Sequence, residues 1–365
     1  MKHKGNKAGD QSGFASIVIA LILVLVMSLL TVAFSQLARR EQRSALDKQL
    51  STQAYYAAES GINDVIKNLD AVNALDPPPN QCLTQTQLTT TGITTSSNYR
   101  NGGVSVSPAN NAVSYACVLV NAKPDSLLFK GVSPEEQKSS KFSVSGGLDD
   151  LTISWASADP ARTTPRTAAE TAKFSPKASW NSPGVLQVSI TPLNNMTRDG
   201  LIANTATVFL YPGPGGAGTG TVLYSDIKGA LKGSIINGYC GNAGDFPCKA
   251  TIQTIGGGGS TDQYLVRILN YYTASDITVD AKDLSNTKLQ FLNAQAKIDV
   301  TGRSRDVLKR VQVRSPIKQP IEESPGFTLE GQSICKRTST YTGQDTLNPP
   351  DLTAATSAAC SPWAN

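Results

Sequence analysis

The most informative chemistry in this sequence lies in its six cysteines and its single histidine. The histidine is His3, so the chain beyond its first few residues contains no imidazole. Without imidazole a protein cannot build a Ser-His-Asp triad, a Cys-His pair or an imidazole-ligated metal centre. The Cys-x-x-Cys pairs typical of structural zinc sites are also absent. The cysteines are therefore expected to form disulfides, and no metal or cofactor is predicted.

All six cysteines follow an apolar N-terminal run, as in an exported head: Cys82, Cys117, Cys240, Cys248, Cys335 and Cys360. Neighbour pairing in sequence would join Cys82 to Cys117, Cys240 to Cys248 and Cys335 to Cys360. The second pair is favoured because Gly241, Gly244 and Pro247 form a short loop that can close. Other connectivities, and buried free thiols, remain alternatives.

Carboxylates are the remaining candidates for catalysis, at Asp149 and Asp150 and at Asp276, Asp280 and Asp283. Both groups lie between strand-like runs, so solvated turn residues explain them more simply than a general acid and base. The stretch 276–283 also lacks the spacing and the central glycine of a helix-loop-helix calcium site. The sequence therefore predicts no catalytic residues and no enzyme.

The first structural element of the chain, ahead of all these residues, is an uncharged run over 14–34. At the rise of an α-helix this run is about 31 Å long, which matches the hydrocarbon core of a bilayer. It is longer than the apolar region of a secretory signal, and bulky Gln36 makes Gln36-Leu37-Ala38 a poor cleavage site. A transmembrane helix is predicted over 14–35.

The helical pattern continues beyond the membrane segment as an amphipathic continuation over 36–75. One face is apolar, because such residues recur at spacings of three and four: Leu46, Leu50, Ala54, Ala57, Ala58, Ile62, Val65 and Leu69. Asp76-Pro77-Pro78-Pro79 ends the pattern, since proline lacks a backbone donor. A single helix over 14–69 is therefore predicted.

Residues after Cys82 are rich in Thr, Ser, Gly, Asn and Pro, with short β-branched runs that indicate antiparallel strands. Strands are predicted at 151–155, 185–190, 205–211 and 264–269, and a hairpin is predicted at 296–300 and 309–314, joined through Gly302. Turns without helices are expected at Asp199-Gly200, 212–216 and 256–259. The predicted class is α+β, with the solvent half of a long N-terminal transmembrane helix packed on a mainly antiparallel β-rich head.

The predicted head covers 76–315, and its length permits two lobes that divide at 160–176. A tail over 316–365 is expected to be pinned by the last disulfide. A β-sandwich and an open sheet on the helix are both compatible with these strands.

The N-terminal pattern resembles the prepilins of type IV pili and the related pseudopilins, and among them the minor pilins of the PilX type. The resemblance rests on Gly13-Phe14 directly before the apolar run, on a short basic leader, and on Ala-Tyr-Tyr-Ala-Ala-Glu-Ser-Gly-Ile at 54–62. It implies a leader over 1–13, cleavage between Gly13 and Phe14 by a prepilin peptidase, and methylation of the new amine on Phe14. The implied partners are other pilins, the pilus assembly platform, the peptidase and the lipid bilayer.

The expected helix-assembly face of such a subunit consists of Val18, Leu46, Leu50, Ala54, Ala58, Ile62, Val65 and Leu69. Family members that form the pilus shaft usually carry glutamate as the fifth mature residue, where this chain has Val18. A carboxylate in lipid is costly unless it is paired, so its absence removes a contact between subunits. Val18 and the large size of the chain favour a minor or tip subunit.

Charge leaves the orientation open, since lysines precede the apolar run and Arg39, Arg40, Arg43 and Lys48 follow it. The cysteines favour a head outside the cell. The expected location is the cytoplasmic membrane, crossed once, and then the cell surface and the pilus.

Two alternatives stay open at this point. The head could be a pilus-tip adhesin or DNA-binding module, using aromatic residues such as Trp180 or Trp363 and a cationic strand region: Arg303, Arg305, Lys309, Arg310, Arg314 and Lys318. Solvated charges that protect an edge strand explain this region better than nucleic-acid contact. The chain could instead be a single-pass anchored exoprotein unrelated to pili.

Overall fold

A long N-terminal helix and a mostly antiparallel β head make up the chain, which confirms the predicted α+β class. A computed structural model describes residues 12–93, 104–105, 113–162, 164–166, 177–194, 197–214, 220–241, 244–256, 262–317 and 340–341.

Helix α1 runs over Ser12–Lys67, and a shorter helix, α2, follows at Leu69–Leu75. The predicted helix is therefore present, with one break at Asn68, whose backbone leaves the helical region (φ −116°, ψ 23°). Asp76 then adopts a left-handed conformation and donates its N–H to the carbonyl of Asn73. Three prolines follow directly, so the helix cannot continue past this point.

Short helices and strands form the rest of the described chain. The helices are α3 (Gln85–Thr90), α4 (Arg198–Asn204) and α5 (Tyr224–Lys228). The strands are β1 (Val104–Ser105), β2 (Val113–Asn121), β3 (Ser126–Val132), β4 (Gln137–Val144), β5 (Asp150–Ser157), β6 (Val185–Pro192), β7 (Ala206–Tyr211), β8 (Thr221–Leu223), β9 (Ser234–Asn237), β10 (Tyr239–Cys240), β11 (Cys248–Gln253), β12 (Tyr264–Tyr271), β13 (Ser275–Lys282), β14 (Lys288–Leu289), β15 (Phe291–Leu292), β16 (Gln295–Ser304), β17 (Val307–Pro316) and β18 (Thr340–Tyr341).

The strands form one four-stranded and two seven-stranded sheets. The four-stranded sheet has the order β1-β2-β16-β17. One seven-stranded sheet has the order β10-β11-β5-β13-β14, with β3 also on β13 and β8 on β11, and the other has the order β15-β4-β12-β6-β7-β9-β18. Most pairs are antiparallel, and β7 with β9, β8 with β11, and β9 with β18 are parallel.

The chain divides into two compact units, each built from separate segments. The first contains Met1–Gly61, Thr95–Val118 and Val300–Val311, so it holds most of α1 and parts of the four-stranded sheet. The second contains Ile62–Thr94, Leu119–Asp299 and Gln312–Asn365, and it holds both seven-stranded sheets.

Both seven-stranded sheets contribute side chains to one hydrophobic cluster, so they face each other as a β-sandwich. Ile153 and Trp155 enter it from one sheet, and Val188, Val266 and Ile268 enter it from the other. Alternate residues of β5 and β13 point to the core, as the period of two in their sequences predicts. Each fully buried Ile or Val contributes about 2 kcal/mol to folding, so this cluster is the main source of stability in the second unit.

Four predicted strands are confirmed as β5, β6, β7 and β12, and two predicted features are wrong. The terminal hairpin turns at Arg305 and Asp306, whereas Gly302 lies inside β16. The expected turn at Asp199-Gly200 is the first turn of α4, because the Thr197 side chain accepts the Gly200 N–H at 3.1 Å and caps a helix there.

A buried polar network holds the end of β12 in the second unit. The Asn270 side-chain amide is fully buried and donates to the carbonyls of Val132 at 2.7 Å and Thr273 at 2.8 Å. A Cβ on Gly184 would lie 2.2 Å from Asn270 Oδ1, so only glycine allows this approach.

Replacing Asn270 by alanine, Asn270→Ala, is expected to lower the free energy of unfolding by about 3 kcal/mol, because two buried carbonyls lose their donor. Thermal and urea unfolding of the full chain in detergent would measure this. Gln263→Ala, at an exposed position close by in the chain, is the control and should change stability little. Equal stability of the two variants would contradict the role given to this amide.

Candidate functional site

The N-terminal part of α1 presents a long apolar surface. Every described side chain from Ser16 to Lys48 is exposed, including Ile17, Leu21 and Phe34. The stretch Ser16–Lys67 contains a window of mean hydropathy 3.1, so this helix is long and apolar enough to cross a membrane.

Two polar side chains within the apolar run are satisfied by the helix itself. Ser28 donates its hydroxyl to the carbonyl of Leu25 at 2.8 Å, and Thr31 donates to Met27 at 2.8 Å. An unsatisfied hydroxyl would be costly in hydrocarbon, and back-bonding within the helix removes that cost. The surface is therefore suited to lipid or to apolar helices of other subunits.

Farther along, α1 packs against strand β16 at very close range. Ala54, Ala58 and Gly302 meet backbone to backbone, since a Cβ on Gly302 would lie 1.9 Å from the Ala54 carbonyl oxygen and 2.6 Å from the Ala58 nitrogen. Ala54 and Ala58 are fully buried. Small alanine side chains at these positions of the predicted stripe allow the strand to lie directly on the helix backbone.

One turn later Gly61 makes a second close contact. A Cβ there would lie 2.8 Å from Val300 and 3.0 Å from the Tyr115 ring. On the other side of Gly302, Ser304 Oγ donates to Gln53 Oε1 at 2.9 Å. The solvent half of α1 is thereby fixed on the four-stranded sheet within the first unit, as the sequence predicted.

The expected assembly-face residues divide by burial. Ala54, Ala58, Ile62, Val65 and Leu69 are buried within the chain, and Leu50 is half-buried. Val18 and Leu46 are 41% and 55% exposed. Contact with other subunits therefore stays a prediction for Val18 and Leu46, while the five buried side chains already have partners in their own chain.

The predicted cleavage pair Gly13 and Phe14 lies in the first turn of α1. Cleavage of this peptide bond stays a prediction. Residues 1–11 of the predicted leader (1–13) lie outside the described residues.

A disulfide joins Cys240, the last residue of β10, to Cys248, the first residue of β11, at the loop end of this hairpin. The two residues are also paired in register. Cys82 and Cys117 are each disulfide-bonded as well. Cys335 and Cys360 lie outside the described residues. Together with the exposed apolar helix, these bonds suit a chain exposed to an oxidising compartment.

Loss of the hairpin disulfide in Cys240→Ser, Cys248→Ser is expected to lower the free energy of unfolding by about 2.5 kcal/mol, the loop-closure value for a separation of 8 residues. Denaturant unfolding of the full chain would measure it. Asp245→Ser changes an exposed residue of the same loop and serves as the control. A double variant as stable as this control would contradict the prediction.

Three of the five carboxylates singled out in the sequence have structural partners. Asp276 accepts the Gly131 N–H at 2.7 Å, Asp280 forms an ion pair with Lys288, and Asp283 accepts the Thr287 N–H. Burial, and then repulsion from the Asp150 carboxylate, raise the pKa of Asp149. In the described part of the chain, no group of three or more His, Cys, Asp or Glu residues is arranged to hold a metal ion.

The cations of the predicted strand region differ in their exposure and in their partners. Lys309 and Arg310 are exposed on β17, and Arg303 donates to the carbonyl of Arg305. Arg314 instead donates to the backbone of Ser126, and burial lowers its pKa. Lys318 lies outside the described residues.

The expectation that Trp180 is an exposed binding aromatic is wrong. Trp180 is fully buried, stacked on Tyr272 with ring centroids 4.0 Å apart, and the Arg166 guanidinium lies 4.7 Å from its ring centroid. These contacts cover the outer face of a sheet, so the ring serves packing. Trp363 lies outside the described residues.

The fold and this surface are those of a type IV pilin-like protein, with an apolar N-terminal helix that is suited to a membrane and a mostly antiparallel β-rich head. Residues 12–63 match the family model described as PilX N-terminal, so this segment is a PilX-type type IV pilin N-terminal region. The match confirms the resemblance found in the sequence. Comparisons with curated proteins and with solved structures gave no match.

Proposed function

We propose that this chain is a minor pilin of a type IV pilus or a related pseudopilus. The PilX-type N-terminal region carries the proposal. In the proposed role, the chain crosses the cytoplasmic membrane once with its head outside. A prepilin peptidase cuts it between Gly13 and Phe14, and the mature chain joins the pilus at low copy or at the tip.

The division of α1 into an exposed and a docked half supports this role. The exposed apolar part needs lipid around it, and on leaving the bilayer it needs an equally apolar replacement. Helices of other pilins provide such an apolar surface, so the helix leaves the membrane by joining the fibre. The docked half holds the four-stranded sheet of the first unit on the helix during this transfer, through Gly302 and Gly61.

Val18 supports a minor position over a shaft position. It stands where shaft subunits usually carry the glutamate that pairs with the terminal amine of a neighbour. A subunit without this carboxylate lacks one ion pair to an adjacent subunit. This suits a position at the end of a fibre or an occasional position within it.

The proposed role is structural and not catalytic, because the family is typically structural. Of the candidate carboxylates, Asp276 and Asp283 accept backbone N–H groups and Asp280 pairs with a lysine.

The intact mass and the N-terminal residue of the protein, taken from membranes and from sheared surface fibres of its host, test the proposal. Both fractions should contain a chain that begins at methylated Phe14. A chain that keeps Met1, or one cut after Ala38, would overturn it in favour of an anchored or secreted exoprotein. Presence in membranes but never in fibres would contradict the pilus role alone.

A further inference from the structure

Three arginines follow the membrane-spanning part of α1 directly. Arg39, Arg40 and Arg43 are all exposed, and the apolar run ends at Phe34. At the rise of an α-helix, their Cα atoms lie about 7.5, 9 and 13.5 Å beyond Phe34. The polar headgroup layer begins where the hydrocarbon ends, so flexible side chains at these heights reach phosphate groups.

The same three arginines share one side of the helix. At about 100° per residue they fall within an arc of about 100°, and Glu41 lies on the opposite side. Asp47 is one turn above Arg43, yet no described carboxylate is within salt-bridge distance of the three guanidinium groups. Among the described residues, the three guanidinium groups therefore form no ion pair, and their positive charge is open to the surroundings of the helix.

We propose that Arg39, Arg40 and Arg43 form a binding surface for anionic phospholipid headgroups in the leaflet next to the head. Guanidinium groups bind phosphate oxygens through paired hydrogen bonds and lose little hydration on doing so. Clusters of cations close to a membrane segment bind anionic lipid through the same attraction. This inference requires only that α1 crosses the bilayer, and it goes beyond the pilin assignment.

Such a surface fixes how deeply the helix sits in the bilayer. Cations at this flank oppose movement of the helix toward the side of the leader, because the charges would have to enter hydrocarbon. They also hold the subunit in the lipid until it is extracted, when the phosphate contacts must be exchanged for contacts in the fibre. The arginine surface is therefore a retention element of the membrane-stored subunit.

Native mass spectrometry of the full chain from micelles with equal phosphatidylglycerol and phosphatidylcholine measures the preference for anionic lipid. The triple variant Arg39→Gln, Arg40→Gln, Arg43→Gln should lose the preference of the wild type by about tenfold or more. The control, Lys67→Gln, Lys141→Gln, Lys309→Gln, removes the same charge at exposed positions far from the three arginines in the sequence and should keep the preference. The variant Arg39→Lys, Arg40→Lys, Arg43→Lys should retain most of it.

An equal preference in the wild type and the arginine-to-glutamine variant would overturn the proposal. An equal loss of preference in the control that replaces three lysines by glutamine would overturn it as well. Enrichment of protein dimers in place of lipid would overturn it too, since the arginines would then bind carboxylates of a second copy. The wild type alone gives a further test, because high salt should abolish the preference. Processing at Phe14 is measured separately, so failure of this inference is distinguishable from failure of the pilin assignment.

Discussion

The variant Gly13→Glu is expected to remain full length in the membrane and to be absent from surface fibres. Glutamate adds a bulky charged side chain at the position before the predicted cut, in the first turn of α1. Without the cut there is no free amine at Phe14, and the charged leader stays attached to the helix that must enter the fibre. We expect loss of nearly all mature protein, measured by the intact mass of membrane and fibre fractions.

Gly5→Glu is the matched control, since it introduces the same charge in the leader away from the predicted cut. It should be processed and assembled almost normally. Alanine at position 13 is a weaker probe, because a small residue preserves the shape of the site. Normal processing of Gly13→Glu would refute a prepilin peptidase site here and leave an anchored exoprotein.

The variant Gly302→Ala is expected to detach β16 from the helix and to destabilise the first unit by more than about 3 kcal/mol, the upper range for overpacking. The added methyl would lie 1.9 Å from the carbonyl oxygen of Ala54, and that atom belongs to the helix backbone and cannot rotate away. Either the strand or the helix must shift, which breaks the contact between Gly61 and Val300 as well.

Gly146→Ala is a suitable control, since its added methyl would lie 3.0 Å from Leu289 Cδ2, the end of a flexible side chain. Limited proteolysis and thermal unfolding of the full chain compare the two. Gly302→Ala should expose α1 near Ala54 to protease at lower temperature than the control. Equal resistance and equal melting would show that the close approach of strand and helix is dispensable.

The helix could be predicted from sequence because its signals are local. The uncharged run, the apolar spacing and the Asp76-Pro77 stop act on neighbouring residues, and α1 with α2 follows them closely. The PilX-type resemblance could be recognised for the same reason, since it lies within one continuous segment. Strands β5, β6, β7 and β12 were visible through alternation.

Gly302 shows where local signals mislead. Glycine in a strand pattern indicates either a turn or a close backbone approach, and the sequence contains no mark that separates them. The separating fact is Ala54, far away in the chain, whose backbone lies against this glycine. Trp180 is a similar case, because its burial depends on Tyr272 and Arg166.

The sequence by itself determined the long apolar helix, its amphipathic extension, the lack of histidine beyond His3 and the β character of the head. These properties depend on composition and on short-range periodicity, which each segment carries within itself. Only the tertiary structure decided which part of the apolar stripe is already covered, where the last hairpin turns, and that two sheets enclose one core. Those features depend on contacts between residues far apart in the chain, and burial is settled by such contacts and not by the order of residues along one strand or helix.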